Sequence, residues 1–162
     1  MSALQKDLFI NTFINIKESI NPNSINNKAD IEQKLLSNIK KRLGDKCSKY
    51  GYIQKNTIKI IDRTLGEIIS SHFNGKLVYN IKLEVTICTP SKDDIISCRV
   101  IAKNKIGILC QNDPLVIILS KDYHTKNSKF DSIQENDIIH VKIIDYKYKY
   151  SDNQIQVVGA LV

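Results

Sequence analysis

After Pro90 the chain holds five short runs of β-branched and apolar residues: Ile95–Ala102, Ile106–Cys110, Leu115–Ser120, Ile138–Tyr150 and Gln154–Leu161. One longer polar connection, Lys121–Asn136, separates the third from the fourth. Runs of this length and composition, bounded by turn residues, read as strands. Five short strands in about 70 residues, with the long connection after the third, form the pattern of a small Greek-key barrel of the OB type. Periodicity alone fits other small β-barrels as well.

The first half reads differently. Ile31, Leu35, Leu36, Ile39 and Leu43 make one apolar stripe at helical spacing. Asn27 is placed to cap this helix, Asp30 and Glu32 occupy its first turn, and Gly44 follows its end. Lys40, Lys41 and Arg42 suit the negative end of the helix dipole. They read either as a solvated helix terminus or as a phosphate-binding patch. Phe9–Ile16 and Tyr52–Ile61 are β-rich, and Lys76–Thr89 alternates over Leu77, Tyr79, Ile81, Leu83, Val85 and Ile87. Asn74-Gly75 signals a hairpin turn between Ile68–Phe73 and the Leu77 run. Thr89-Pro90-Ser91-Lys92 ends the long strand and sets the expected boundary. The expected fold is therefore α+β: a β-α-β-β-β module, residues 1–89, packed against a five-stranded OB-type barrel, residues 90–162.

The formal charge is +7, which points to an acidic partner such as nucleic acid or an acidic protein face. Residues 1–90 carry 14 Lys/Arg against 8 Asp/Glu, and residues 91–162 carry 10 against 9. The basic excess thus lies almost wholly outside the expected barrel. The longest apolar runs fall far short of the roughly 20 residues of a membrane helix. The N-terminal stretch, with Lys6 and Asp7, predicts no secretory signal. Cys47, Cys88, Cys98 and Cys110 lack zinc-site spacing and read as reduced thiols of an intracellular protein. His72, His124 and His140 form no metal-binding motif, so neither metal nor cofactor is expected.

There is no GxSxG, HExxH, P-loop or glycine-rich dinucleotide turn. The acidic pairs Asp93/Asp94 and Glu135/Asp137 sit beside turns, where solvated carboxylates are the norm. Catalysis by this chain is not expected. Tyr146-Lys147-Tyr148-Lys149-Tyr150 is the clearest nucleic-acid feature, because a strand there puts three rings on one face and two cations on the other. The competing reading puts the rings partly in the core, with hydroxyls at the rim. Lys103, Lys105, Lys121, Tyr123, His124, Lys126 and Lys129 read either as a supplement to that RNA surface, with Lys103, Lys105, Lys121, Tyr123 and Lys126 the favoured members, or as unrelated loop residues.

In their order along the chain these features resemble the stalk subunit of multi-subunit DNA-directed RNA polymerases, the family of the seventh polymerase II subunit and archaeal E-prime. The resemblance runs over nearly the whole sequence. It rests on Asn21-Pro22 before the helix, Gly51-Tyr52-Ile53, Leu65-Gly66-Glu67-Ile68, Tyr79-Asn80-Ile81, Pro90 with Ile95-Ile96, Gly107, Asp113-Pro114 and Val158-Gly159. Asp93 or Asp94 stands where the family has a glycine. The compact ending and the Ile/Asn/Lys bias would suit a large DNA virus that encodes its own polymerase.

The resemblance implies a non-catalytic subunit that docks on the large polymerase core subunits. Docking falls to the first module, through Asn21, Pro22, Gly51, Tyr52, Gly66, Glu67 and Ile68. The barrel contacts nascent single-stranded RNA weakly, and a second stalk subunit is a further implied partner. It would act in the host cytoplasm and virion if viral, and otherwise in the nucleus. The alternatives are a free-standing OB-fold RNA-binding or translation-factor-like module, and an accessory domain of a nuclease or capping enzyme.

Overall fold

The structure, a computed structural model, describes residues 7–27, 30–69 and 74–162. The described residues divide into two compact units. One runs through Phe9, Cys47–Tyr52 and Cys88–Val162; the other comprises Ile10–Lys46 and Ile53–Ile87.

The first unit contains a closed barrel of β7 (Ile95–Lys103), β8 (Gly107–Asn112), β9 (Leu115–Ser120), β10 (Ile138–Lys147) and β11 (Ile155–Leu161), in the order β10-β11-β9-β8-β7. β7 pairs antiparallel with β8 and with β10, β8 with β9, and β10 with β11, while β11 runs parallel to β9. The fold is α+β with an OB-like barrel, as the strand spacing predicts. Alternate residues fill the interior: Ile96, Cys98, Val100, Ile108, Cys110, Leu115, Ile117, Leu119, Val141, Ile143, Ile155 and Val157.

Two glycines are required by close packing. A Cβ on Gly107 would lie 2.2 Å from the Leu119 carbonyl oxygen, and one on Gly159 would lie 2.2 Å from Val141 Cγ1. The polar connection after β9 is more structured than its composition suggests. It forms a 3-10 turn at Lys121–Tyr123 and a short helix α2 (Ser128–Ser132), whose Phe130 joins the barrel core along with Ile133.

The second unit holds β1 (Phe9–Ile20), helix α1 (Asp30–Leu43), β4 (Lys59–Arg63), β5 (Glu67–Ile68) and β6 (Leu77–Cys88); the short strands β2 (Lys46–Ser48) and β3 (Gly51–Ile53) follow α1. β4 and β5 pair antiparallel with β6. The inward residues of β6 (Tyr79, Ile81, Leu83, Val85, Ile87) and the α1 stripe (Leu35, Ile39, Leu43) are buried. At the start of α1 the Asn27 carbonyl accepts the Asp30 N–H at 3.0 Å; residues 28 and 29 lie outside the described residues.

At the other end of α1 the left-handed residue is Asp45 (φ 53°), not Gly44. Gly44 is needed because a Cβ there would lie 2.4 Å from the Lys40 carbonyl oxygen. The Tyr52–Ile61 run is not one strand. Gln54–Thr57 closes a 3-10 turn, in which the Thr57 hydroxyl and amide both donate to the Gln54 carbonyl, so the polar stretch satisfies its own backbone. Asn74 accepts the Lys76 N–H and Gly75 has φ +66°, as the turn signal predicts; residues 70–73 of the expected strand lie outside the described residues.

Candidate nucleic-acid and docking surfaces

Strand register separates the expected RNA residues into two groups. Lys103 pairs with Ile108 and Gly107 with Ser120, so the β7–β8 turn and the start of the Lys121–Tyr123 turn share one end of the barrel. The Lys121 N–H donates to the Ile106 carbonyl at 2.9 Å, tying the two turns together. Lys147 pairs with Gln156, and Ile155 with Leu115, which puts the Tyr146–Tyr150 segment at the opposite end.

At the first end, Lys105, Lys121, Tyr123 and Lys126 are exposed, with the Tyr123 ring 71 % open to solvent. An open ring among cations suits a stacked base and its phosphates. Lys103 is differently engaged. Its ammonium donates to the carbonyls of Asp131 (2.7 Å), Ile133 (2.9 Å) and Phe130 (3.4 Å), so it terminates α2. His124 is buried and stacks on Phe130 at 4.7 Å. Its Nε2 accepts the Leu161 N–H at 2.8 Å, which assigns the proton to Nδ1, facing the Ser120 carbonyl at 2.7 Å. The imidazole therefore clips the end of β11 to the end of β9 and presents no free nitrogen.

At the second end β10 stops at Lys147, short of the expected Tyr150. The chain turns there because Asp152 accepts the Lys149 N–H on its side chain, the Asp152 N–H donates to the Lys149 carbonyl, and Ser151 takes φ 69°. The three tyrosines consequently do not share one strand face. Tyr146 and Tyr148 pack half-buried against the barrel core, whereas Tyr150 is 64 % exposed, as are its neighbours Lys147 and Lys149. Burial pushes the Tyr148 hydroxyl up from its ordinary pKa.

The residues that the family resemblance implicates in docking also divide. Gly51 (φ +123°) is packed where a Cβ would lie 2.6 Å from the Cys88 carbonyl oxygen, and Tyr52 lies half-buried against the barrel core. Asn21 and Pro22 open an exposed 3-10 turn in which the Asn21 side chain accepts the Asn23 N–H. Gly66 lets the chain pass the Tyr79 ring, 2.8 Å from where a Cβ would sit. Around it Leu65 and Ile68 are 83 % and 67 % exposed, Ile61 is 50 % exposed, and Glu67 also faces solvent.

No family model matches the chain. A protein of Acanthamoeba polyphaga mimivirus, named "Putative DNA-directed RNA polymerase subunit L376", is 26 % identical over 170 residues, spanning 98 % of this chain and 84 % of that protein. The match supports reading this chain as an RNA polymerase subunit of a large DNA virus.

No three His, Cys, Asp or Glu side chains among the described residues group to hold a metal ion. Burial pushes the Cys47 thiol up to about 11 and the Cys88 thiol up to about 12. A hydrogen bond between Cys98 and Cys110, together with burial, holds the Cys98 proton in place. Thiols that stay protonated are poor nucleophiles. Among the described residues no helix is long and apolar enough to cross a membrane.

Two features escaped the sequence reading. The α2 plug was signalled only by Phe130, an aromatic residue in a polar connection. The aliphatic outer wall of the barrel was signalled by Leu115–Leu119, five apolar residues in succession where a barrel strand facing water should alternate.

Proposed function

We propose that this chain is a non-catalytic stalk subunit of a viral DNA-dependent RNA polymerase, working in the host cytoplasm and virion. It docks on the large core subunits through the unit built on β6 and offers one end of its barrel to emerging single-stranded RNA. The observation that carries the docking role is the cluster Ile61, Leu65 and Ile68, each at least half exposed on β4, β5 and their connection. Large aliphatics concentrated in one short segment mark a protein contact rather than a solvated edge. Asn21-Pro22 belongs to the same unit and extends the docking role.

For RNA the favoured group is Lys105, Lys121, Tyr123 and Lys126. These side chains are exposed, and Lys105, Lys121 and Tyr123 lie on the two tied turns. Affinity from so few cations is weak in isolation and becomes useful where a bound polymerase supplies RNA at high local concentration.

The test is co-purification of the tagged full-length chain with co-expressed polymerase subunits. Replacing both Leu65→Ser and Ile68→Ser should weaken association by at least about tenfold, as loss of central aliphatic anchors does. The melting temperature should stay unchanged, because neither residue is buried. Undiminished co-purification of the double variant would refute docking through this segment. Failure of the wild-type chain to co-purify would refute the polymerase role itself.

A further inference from the structure

The outer wall of the barrel bears a row of aliphatic side chains running across the strands. Register sets Ala102 opposite Leu109, Leu109 opposite Ile118, and Ile118 opposite Val158. Leu109, Ile118 and Val158 are 37 %, 49 % and 39 % exposed. Each end of the row is extended by the residue at a register irregularity: Ile101 in β7 at 44 % and Ile144 in β10 at 40 % exposure. An irregularity turns its extra residue out of the alternation, and here both extra residues are isoleucines that lengthen the apolar row.

The next row toward the Lys147 end is polar and basic. Arg99 faces Gln111, Gln111 faces Val116, Val116 faces Gln156, and Gln156 faces Lys147. Arg99 and Lys147, one at each end, are exposed, and neither has a carboxylate at ion-pair distance among the described residues. The acids beside the wall are already engaged. Asp145, opposite Val158, is held by Lys92 at 3.2 Å, and Asp113 accepts from the Gln111 side-chain amide.

We propose that this wall docks an acidic amphipathic helix of a neighbouring polymerase subunit, an inference that rests on the polymerase-subunit reading above. Leu109, Ile118 and Val158 sit on three successive strands, so they span about 10 Å, the rise of about two helical turns. A helix laid along the row meets them with side chains at i, i+3 or i+4, and i+7. Acidic residues on one flank of that helix meet Arg99 and Lys147, which flank the row and have no carboxylate at ion-pair distance among the described residues. The row suits protein better than RNA because it carries no aromatic face for a base to stack on; Tyr146, opposite Val157 on β11, packs against the core.

The experiment places a benzophenone photo-crosslinking side chain at Ile118, and separately at Leu65, in the full chain within the assembled, transcribing polymerase. The expected result at Ile118 is a crosslink to a polymerase subunit, in a segment with apolar residues at helical spacing and acidic residues beside them. The double reversal Arg99→Glu and Lys147→Glu should weaken that crosslink about tenfold at low salt and much less at high salt.

A crosslink from Ile118 to the transcript overturns the proposal in favour of a nucleic-acid face. No crosslink at Ile118 while Leu65 crosslinks overturns it and leaves the docking role standing. A crosslink at Ile118 without one at Leu65 supports the wall and removes the docking segment. Silence at both positions overturns the wall and the docking role together.

Discussion

Lys103 and Lys105 stand two residues apart, and the structure gives them opposite duties. Lys103→Met keeps the aliphatic stem but removes an ammonium bonded to carbonyls at 2.7 and 2.9 Å, with a third at 3.4 Å. Those carbonyls, at the end of α2, then lack a donor. A hydrogen-bonded charged group is worth about 1.5–3 kcal/mol net, and the half-exposed setting favours the lower part of that range. For a chain of this size, each kcal/mol lowers Tm by about 2–4 °C, so the fall should be about 3–12 °C.

Lys105→Ala removes an exposed cation with no structural partner to lose, and its melt should match wild type. In RNA titrations the ranking should reverse. Lys105→Ala should weaken single-stranded binding for all sequences alike and reduce the salt slope by about 0.7, the share of one phosphate on a single strand. Lys103→Met should leave both affinity and slope unchanged once only folded protein is counted. Calorimetric melts and fluorescence titrations over a salt series, on the same preparations, read both quantities. An unchanged melt for Lys103→Met, or a loss of salt slope equal to that of Lys105→Ala, would refute the assignment of Lys103 to helix capping.

Two further outcomes follow from buried polar groups. Glu18, with its side chain 12 % exposed and 2.7 Å from Arg42, has its pKa raised by burial, an effect that the Arg42 charge only partly offsets. A carboxyl whose folded pKa is raised contributes stability that is complete below its unfolded pKa and lost as pH rises through the folded one. Wild type should therefore gain stability relative to Glu18→Gln as pH falls from neutral to below the ordinary carboxylate range. Urea melts of both proteins across that range check the sign, and a stability of wild type relative to Glu18→Gln that increases with rising pH contradicts it.

Tyr148→Ala should lower Tm, because the ring packs on the barrel core, while Tyr150→Ala should leave the melt unchanged. Equal melts for the two variants would mean that the Tyr148 ring contributes no packing.

The β-barrel was legible in the sequence because a strand alternates every two residues and a closed wall must put one set inside. Ile96, Cys98 and Val100, or Leu115, Ile117 and Leu119, announce that inward set without reference to any other part of the chain. The α1 stripe of Leu35, Ile39 and Leu43 is equally local, since 3.6 residues per turn fixes which side chains share a face. The Asn74-Gly75 turn and the glycine positions belong to the same class, being properties of backbone dihedrals and Cβ atoms.

The duties of the polar side chains were not legible. Lys103 and Lys105 look alike in sequence, yet one reaches α2 because a strand-end residue faces a helix formed some 25 residues later. His124 becomes a clip because β9 and β11 run parallel, which brings Leu161 to the end of β9. The Tyr146–Tyr150 ladder fails as a single face because Asp152 ends the strand early by offering backbone groups a nearer partner. Apolar periodicity is written in each segment by itself, since burial needs only the right spacing. The partner of a charge or an imidazole depends on which distant carbonyl the tertiary fold brings within about 3 Å.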